Sequence, residues 1–167
     1  MYSFEELVKR ARKNDKLPNY LLALDPGETT GFAIFNKLSL VREGQIRTIE
    51  RDIIFWDEIE RLIVNSEFSI DCIVCENYRI YQHKLARHSY SPVMTLRLIG
   101  GIDYLAWKLH IPIYYQMATQ AKGFVTDEKL KQWGFWLPNK RHSRDAIRHA
   151  CYFLLFHNRR GVNTSNK

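Results

Sequence analysis

The sequence predicts an α/β fold with a five-stranded mixed sheet flanked by helices, and three observations lead there. Residues 20–35 read as two strands joined by a turn: the run Leu21, Leu22, Ala23, Leu24 is apolar without alternation, Pro26-Gly27 and Gly31 punctuate it, and Phe32 to Phe35 resume the apolar pattern. Two apolar runs, one closing on Asp25 and one on Glu76, end abruptly in an acid, as buried strands do where they emerge at a sheet edge. The periodic segments follow the order three strands, helix, strand, helix, strand, helix, which suits a sheet with both antiparallel and parallel neighbours.

Residues 1–18 form an N-terminal helical extension in this reading, residues 19–157 the main domain, and residues 158–167 a flexible polar tail. In the extension Phe4, Leu7, Val8 and Ala11 recur at helical spacing with Ser3 as N-cap, and Pro18 closes the segment as an appendage to the domain. Residues 38–49 supply a third strand, and Ile54, Phe55, Ile59, Leu62 and Ile63 set a helix over residues 51–65. Residues 68–76 are the next strand. Ser91 and Pro92 open a long helix to residue 110, along which Val93, Leu96, Ile99, Ile102, Leu105, Ala106 and Leu109 share a face. Gly100-Gly101 interrupt that helix at about 1 kcal/mol each relative to alanine, which admits either a close neighbouring helix or a kink. A short strand over residues 111–116 follows, then helical pieces at 117–123 and 126–133. A last helix runs through Ala146, Ile147, Ala150, Phe153 and Leu154 with Ser143 as its expected N-cap.

The 167 residues, 46% hydrophobic and 13% aromatic, are enough for one domain with a sizeable core. No run reaches the roughly 18 apolar residues of a membrane span, and the charged first 16 residues lack the apolar core of a signal peptide, so a soluble, cytoplasmic protein without a membrane partner is expected. Three cysteines do not make a disulfide framework. Cys72 and Cys75, three apart on a strand, point to opposite faces and do not make a metal pair. The net charge of +7 is unevenly spread: residues 21–77 carry five basic and eleven acidic side chains, whereas residues 117–167 carry ten basic and three acidic. An acidic element held in one half and a basic second half point to a polyanion partner, most simply nucleic acid.

Asp25 at the mouth of a buried strand is costly unless paired, protonated or bound to a cation, and the residues that follow offer no basic partner. It either caps the turn as an Asx residue or holds a metal. Glu76 repeats the pattern. If a helical crossover makes the two strands parallel neighbours, about 4.8 Å apart, both acids leave one edge of the sheet and can share a cation. His142 and Asp145, three apart at the start of the last helix, face one point in front of it, although an acid there also complements the helix dipole. Residues 78–88 set Arg79, Lys84 and Arg87 among Tyr78, Tyr81, Gln82 and His83, which is either a solvated helix face or a segment that meets nucleic acid with basic and stacking groups.

Taken together, Leu24-Asp25-Pro26-Gly27 with Thr30-Gly31, Val74-Cys75-Glu76, and His142-x-x-Asp145-Ala146 resemble the RuvC family of Holliday junction resolvases, phage-type members in particular, within the ribonuclease H-like superfamily. The resemblance runs from about residue 21 to residue 156, and includes Ala118 to Lys122 as the basic segment ahead of the last helix and residues 96–104 as a dimer helix. It implies Asp25, Glu76, His142 and Asp145 as the metal-binding catalytic set, with His142 as ligand or water-orienting base. It places Lys122 near the scissile phosphate, Lys129 as a second basic contact, and Arg79, Lys84 and Arg87 on DNA, with Tyr78 or Tyr81 as the stacking residue. The implied activity is metal-dependent resolution of four-way DNA junctions by paired nicks from a homodimer. Phosphodiester hydrolysis by two hard cations about 3.5–4 Å apart agrees with a carboxylate set, Mg2+ being the expected metal and Mn2+ a substitute, with no small-molecule cofactor. The alternatives are a YqgF-like ribonuclease H-like nuclease acting on structured RNA, or a junction-binding module without cleavage.

Overall fold

The computed structural model describes residues 2–12, 16–47, 52–64, 67–78 and 90–157. Five strands, β1 (Tyr20–Asp25), β2 (Thr29–Asn36), β3 (Ser39–Arg47), β4 (Cys72–Asn77) and β5 (Ile113–Met117), form one mixed sheet in the order β3-β2-β1-β4-β5. β1 pairs antiparallel with β2 and parallel with β4, and β4 pairs parallel with β5. The expected five-stranded mixed sheet is therefore present. Six helices complete the described chain: α1 (Phe4–Arg12), α2 (Asp52–Val64), α3 (Tyr90–Lys108), α4 (Ala118–Phe124), α5 (Asp127–Gln132) and α6 (Arg141–Phe156).

The unalternating apolar runs are explained by cover on both faces. Leu21 and Ala23 of β1, with Cys72 and Val74 of β4, pack under Ala146, Ile147, Ala150 and Leu154 of α6. Their neighbours Leu22, Leu24, Ile73 and Cys75 face the other way, onto Ile59 and Leu62 of α2 and Leu98 and Ile102 of α3. Residues one apart thus serve two cores, as the two-residue period of a strand requires. Cys72 and Cys75 lie on opposite faces as the spacing predicts.

The helices show where local rules hold and where distant residues override them. Ser3 caps α1: the Glu6 backbone N–H donates to Ser3 Oγ at 3.2 Å and Glu6 Oε2 accepts from the Ser3 N–H at 2.8 Å. Yet α1 is not an appendage. Phe4 and Val8 are buried in the main core, and the Arg12 guanidinium donates to the Phe153 carbonyl at 2.9 Å, near the end of α6. Gly101 lies against Trp56 of α2, where a Cβ would meet the indole at 2.1 Å, whereas a Cβ on Gly100 would meet nothing of a neighbouring element within 4 Å among the described residues. The close helix approach expected of this pair is made inside the subunit, and by one glycine. Among the described residues no helix is long and apolar enough to cross a membrane.

α6 begins earlier than expected. Lys140 occupies the N-cap position, and Ser143 sits inside the first turn with its hydroxyl donating to the Gly44 carbonyl of β3 at 2.9 Å. The His142 N–H, one of the donors a helix start leaves unpaired, is taken by Gln45 Oε1 at 3.1 Å. The cap comes from β3, so Ser143 does not need to supply it.

Candidate active site

The parallel pairing of β1 and β4 places Leu24 opposite Cys75, so the next residues, Asp25 and Glu76, leave the same edge of the sheet side by side. α6 runs across one face of that sheet and presents His142 and Asp145 from its first two turns to the same edge. β5 passes directly into α4, which carries Lys122. These five side chains, with Tyr78, Thr95 and Arg141, line a cleft of about 220 Å³. The structure therefore gathers Asp25, Glu76, His142, Asp145 and Lys122 at one place.

The Lys122 ammonium stands where the three carboxylates converge: Nζ lies 3.0 Å from Glu76 Oε2, 3.1 Å from Asp145 Oδ2 and 3.9 Å from Asp25 Oδ1. Each carboxylate also has a partner of its own. His142 Nδ1 is 3.0 Å from Asp25 Oδ2, His149 Nε2 is 2.8 Å from Glu76 Oε2, and the Arg148 guanidinium donates to Asp145. Burial pushes the Asp25 carboxyl up, against the hydrogen bond from His142, and the nearby Glu76 charge adds to the rise. Burial acts on Glu76 in the same sense, but the hydrogen bond and charge of His149, with Lys122, outweigh it and hold that carboxyl well below the usual range. Burial pulls the Lys122 ammonium down, and the three carboxylates outweigh it and raise it. The hydrogen bond to Asp25 raises His142 despite partial burial.

Three buried or half-buried carboxylates face the side-chain cations Lys122 and Arg148, a donor set of hard oxygens. Among the described residues no group of three or more His, Cys, Asp or Glu side chains is already spaced to close on a metal ion. The Lys122 ammonium occupies the point on which the three carboxylates converge. About a third of the Lys122 side chain is open to solvent. Three carboxylates with His142 beside Asp25 are the oxygen-rich donor chemistry that a hard divalent cation takes.

Other expected site residues fall elsewhere. Lys129 of α5 is not brought into the cluster: its ammonium donates to the Phe124 carbonyl at 2.7 Å and lies 3.4 Å from the centre of the Phe124 ring. Arg79, Lys84, Arg87 and Tyr81, and the tail over residues 158–167, lie outside the described residues. Tyr78 lines the cleft. Three residues of α6 enter that sequence reasoning passed over. Arg141 lines the cleft, and also a second one on the far side of Lys122 where Arg144 and Arg148 join it. Arg148 bridges Asp145, Asp127 and the Val125 carbonyl. His149 is fully buried between Glu76 and Gln116. Their signal was available in the run 141, 142, 145, 148, 149, polar residues repeating along one side of an otherwise apolar helix.

The start of α6 is seated on the hairpin with no room to spare. A Cβ on Gly31 would lie 1.9 Å from the His142 carbonyl oxygen and 2.8 Å from the Ser143 nitrogen. Lys140 adds an ion pair to Glu43 of β3 at 2.6 Å. Gly31 is also the register partner of Asp25, so one hairpin locates both Asp25 and the backbone that carries His142.

No family model and no curated protein matches the sequence. Solved structures do match the fold. Thermus thermophilus RuvC in complex with a Holliday junction substrate superposes with a TM-score of 0.65 at 14% identity, covering 81% of this chain and 92% of that one. A second Thermus thermophilus RuvC structure gives 0.61 at 16% identity, covering 81% and 93%. The yeast mitochondrial Holliday junction resolvase Ydc2 covers 90% of this chain and 84% of its own at 15% identity, with a TM-score of 0.46 that is too loose to add to this. The chain has a RuvC-like, ribonuclease H-like fold.

Proposed function

We propose that this protein is a metal-dependent endonuclease that cuts four-way DNA junctions by paired nicks. The observation that carries the reading is the convergence of Asp25, Glu76 and Asp145, from two strand ends and one helix, on a single cationic point beside His142. Bound Mg2+, or Mn2+ in its place, would supply activation of the attacking water and charge neutralisation at the leaving oxygen. Asp25, Glu76 and Asp145 hold the cation by oxygen, and His142 either joins them or orients the water. Lys122, beside the carboxylates, would keep a positive charge at the cleft for the scissile phosphate, where a preorganised cation stabilises the charge that builds up. Arg141 extends the basic lining, and Arg79, Lys84 and Arg87 are assigned to the DNA backbone.

A four-way junction has two-fold symmetry, and paired nicks need two sites related by the same axis, so the working unit is a homodimer. α3 offers the face: a Cβ on Gly100 would meet nothing within 4 Å among the described residues, and Tyr104 and Trp107 stand 58% and 73% exposed with ring centres 6.0 Å apart. The reading places the protein in the cytoplasm of a cell, a phage-infected host included, with branched DNA as its partner.

The test is digestion of a cruciform plasmid and of a synthetic four-way junction in Mg2+ and in EDTA. Symmetric, Mg2+-dependent cuts are expected. Cleavage of structured RNA in preference to the junction would assign the site to RNA, and junction binding without any metal-dependent nicking would make the protein a binding module.

A further inference from the structure

Gln116, His149 and Glu76 form a buried chain that ties β5 through α6 to β4. His149 is fully buried and Gln116 is 8% exposed. His149 Nδ1 lies 3.0 Å from the Gln116 side-chain oxygen, and its Nε2 lies 2.8 Å from Glu76 Oε2. An ionised carboxylate only accepts, so the hydrogen belongs on Nε2. The Gln116 amide can turn either its carbonyl or its NH2 toward Nδ1, and in both arrangements Nε2 remains the donor to Glu76. The amide is thus matched to one job of the imidazole.

Glu76 is the member of the cluster that most needs this. It has one more rotatable bond than Asp25 or Asp145, and its side chain is 18% exposed against 7% and 6% for theirs. A longer, less enclosed carboxylate loses more freedom when it is held at one point. A rigid ring packed under α6 removes that freedom before any ligand arrives. The spacing of α6 makes the arrangement economical, because His142, Asp145 and His149 recur on one side of a single helix.

We propose that His149, oriented by Gln116, is the positioning residue for Glu76, fixing the rotation of that carboxylate for the divalent cation. This rests on the metal-dependent reading of the site. A hydrogen-bonded group behind a metal ligand typically accounts for a 10–100-fold difference in metal affinity or activity. A merely structural histidine would change stability and leave cation affinity alone.

The test is calorimetric titration of Mn2+ into the full-length wild type and into His149→Leu, His149→Gln, Gln116→Met and Asp25→Asn, beside thermal melting and junction affinity in EDTA. His149→Leu is expected to bind Mn2+ about 10–100-fold more weakly, with junction affinity in EDTA unchanged. His149→Gln, whose amide nitrogen can donate from a place close to Nε2, is expected to recover most of that loss. Gln116→Met keeps the imidazole and nearly the same volume, and is expected to lose affinity by a smaller factor; it carries the test if His149→Leu does not fold. Folded His149→Leu or Gln116→Met with wild-type Mn2+ affinity, or His149→Gln as weak as His149→Leu, overturns the inference. Wild type that binds Mn2+ while only Asp25→Asn loses it overturns the role of His149 and leaves the metal centre standing. Wild type that binds no Mn2+ removes both.

Discussion

Gly31→Ala is the most informative small change in the molecule. The added methyl would sit 1.9 Å from the His142 carbonyl oxygen, 2.1 Å from its carbon and 2.8 Å from the Ser143 nitrogen, all of them backbone atoms that no rotamer change can move. Since such contacts essentially never fall below 3.0 Å, the end of α6 has to withdraw from the hairpin by about 1.1 Å or more. That distance stretches the hydrogen bonds from the His142 N–H to Gln45 and from Ser143 Oγ to Gly44, now 3.1 and 2.9 Å, toward or past their useful limit. It also carries His142 away from Asp25, now 3.0 Å distant. Overpacking of this kind costs about 1–3 kcal/mol, which at about 2–4 °C per kcal/mol for a chain of this size lowers the melting temperature by about 2–12 °C. A displacement near 1 Å in a catalytic group costs about 10²-fold in rate. The expected result is a folded protein, melting a few degrees lower, that binds junctions normally and cuts them about 100-fold more slowly in single-turnover assays. Gly31→Ala with wild-type melting and wild-type cleavage would refute the idea that the hairpin seats the helix.

Asp25→Asn, Glu76→Gln and Asp145→Asn are each expected to abolish cleavage while junction affinity in a mobility-shift assay holds or rises, because neutralising an acid relieves its repulsion of the DNA backbone; near-normal turnover in any one removes it from the set. Lys122→Ala is expected to slow single-turnover cleavage by about 10²-fold with little change in junction affinity, as befits a charge used at the transition state. An equal loss in both would make Lys122 a binding residue. Gly100→Glu places a charge on α3 where an added Cβ meets nothing within 4 Å among the described residues, so it is expected to give a folded monomer by sedimentation that nicks cruciform plasmid without linearising it. Coupled cuts by this variant would rule that face out.

Much of the site was legible because a carboxylate ending an apolar strand is a conspicuous break in pattern. Asp25 and Glu76 stood out that way, and the crossover through α2 brings their strands together in register. Ser3 and Glu6 formed the cap their spacing predicts because nothing else competes for the start of α1. Ser143 failed the same rule because Gln45, 97 positions earlier, reaches one of the open donors at the start of α6 and frees the hydroxyl for Gly44. α1 looked detachable since Pro18 and its charges mark a boundary, but Phe4 finds Trp133 and Phe135 at 5.0 and 5.4 Å, partners no local pattern announces. Lys129 was assigned to DNA through the family resemblance, and the structure seats its ammonium over the ring of Phe124, five residues before it and outside the carboxylate cluster. Arg148 and His149 were hidden by their company: on a helix read for its apolar stripe, a buried base is visible only once the acid it holds has a place.

α6 bears His142, Asp145, Arg148 and His149 within about two turns, while Asp25 and Glu76 belong to the sheet. A single helix has no hinge between these positions, so thermal motion shifts its four groups in phase and keeps their mutual spacing. What varies is the gap between two jaws, one helical and one of sheet, held at one end by Gly31 and at the other by Arg12 reaching across to Phe153. Geometry at the reacting centre therefore depends on one collective coordinate, the tilt of α6 over the strands. Substitutions at either clamp, far from the carboxylates, act on catalysis through that tilt, and two such changes that move the helix in opposite senses compensate each other.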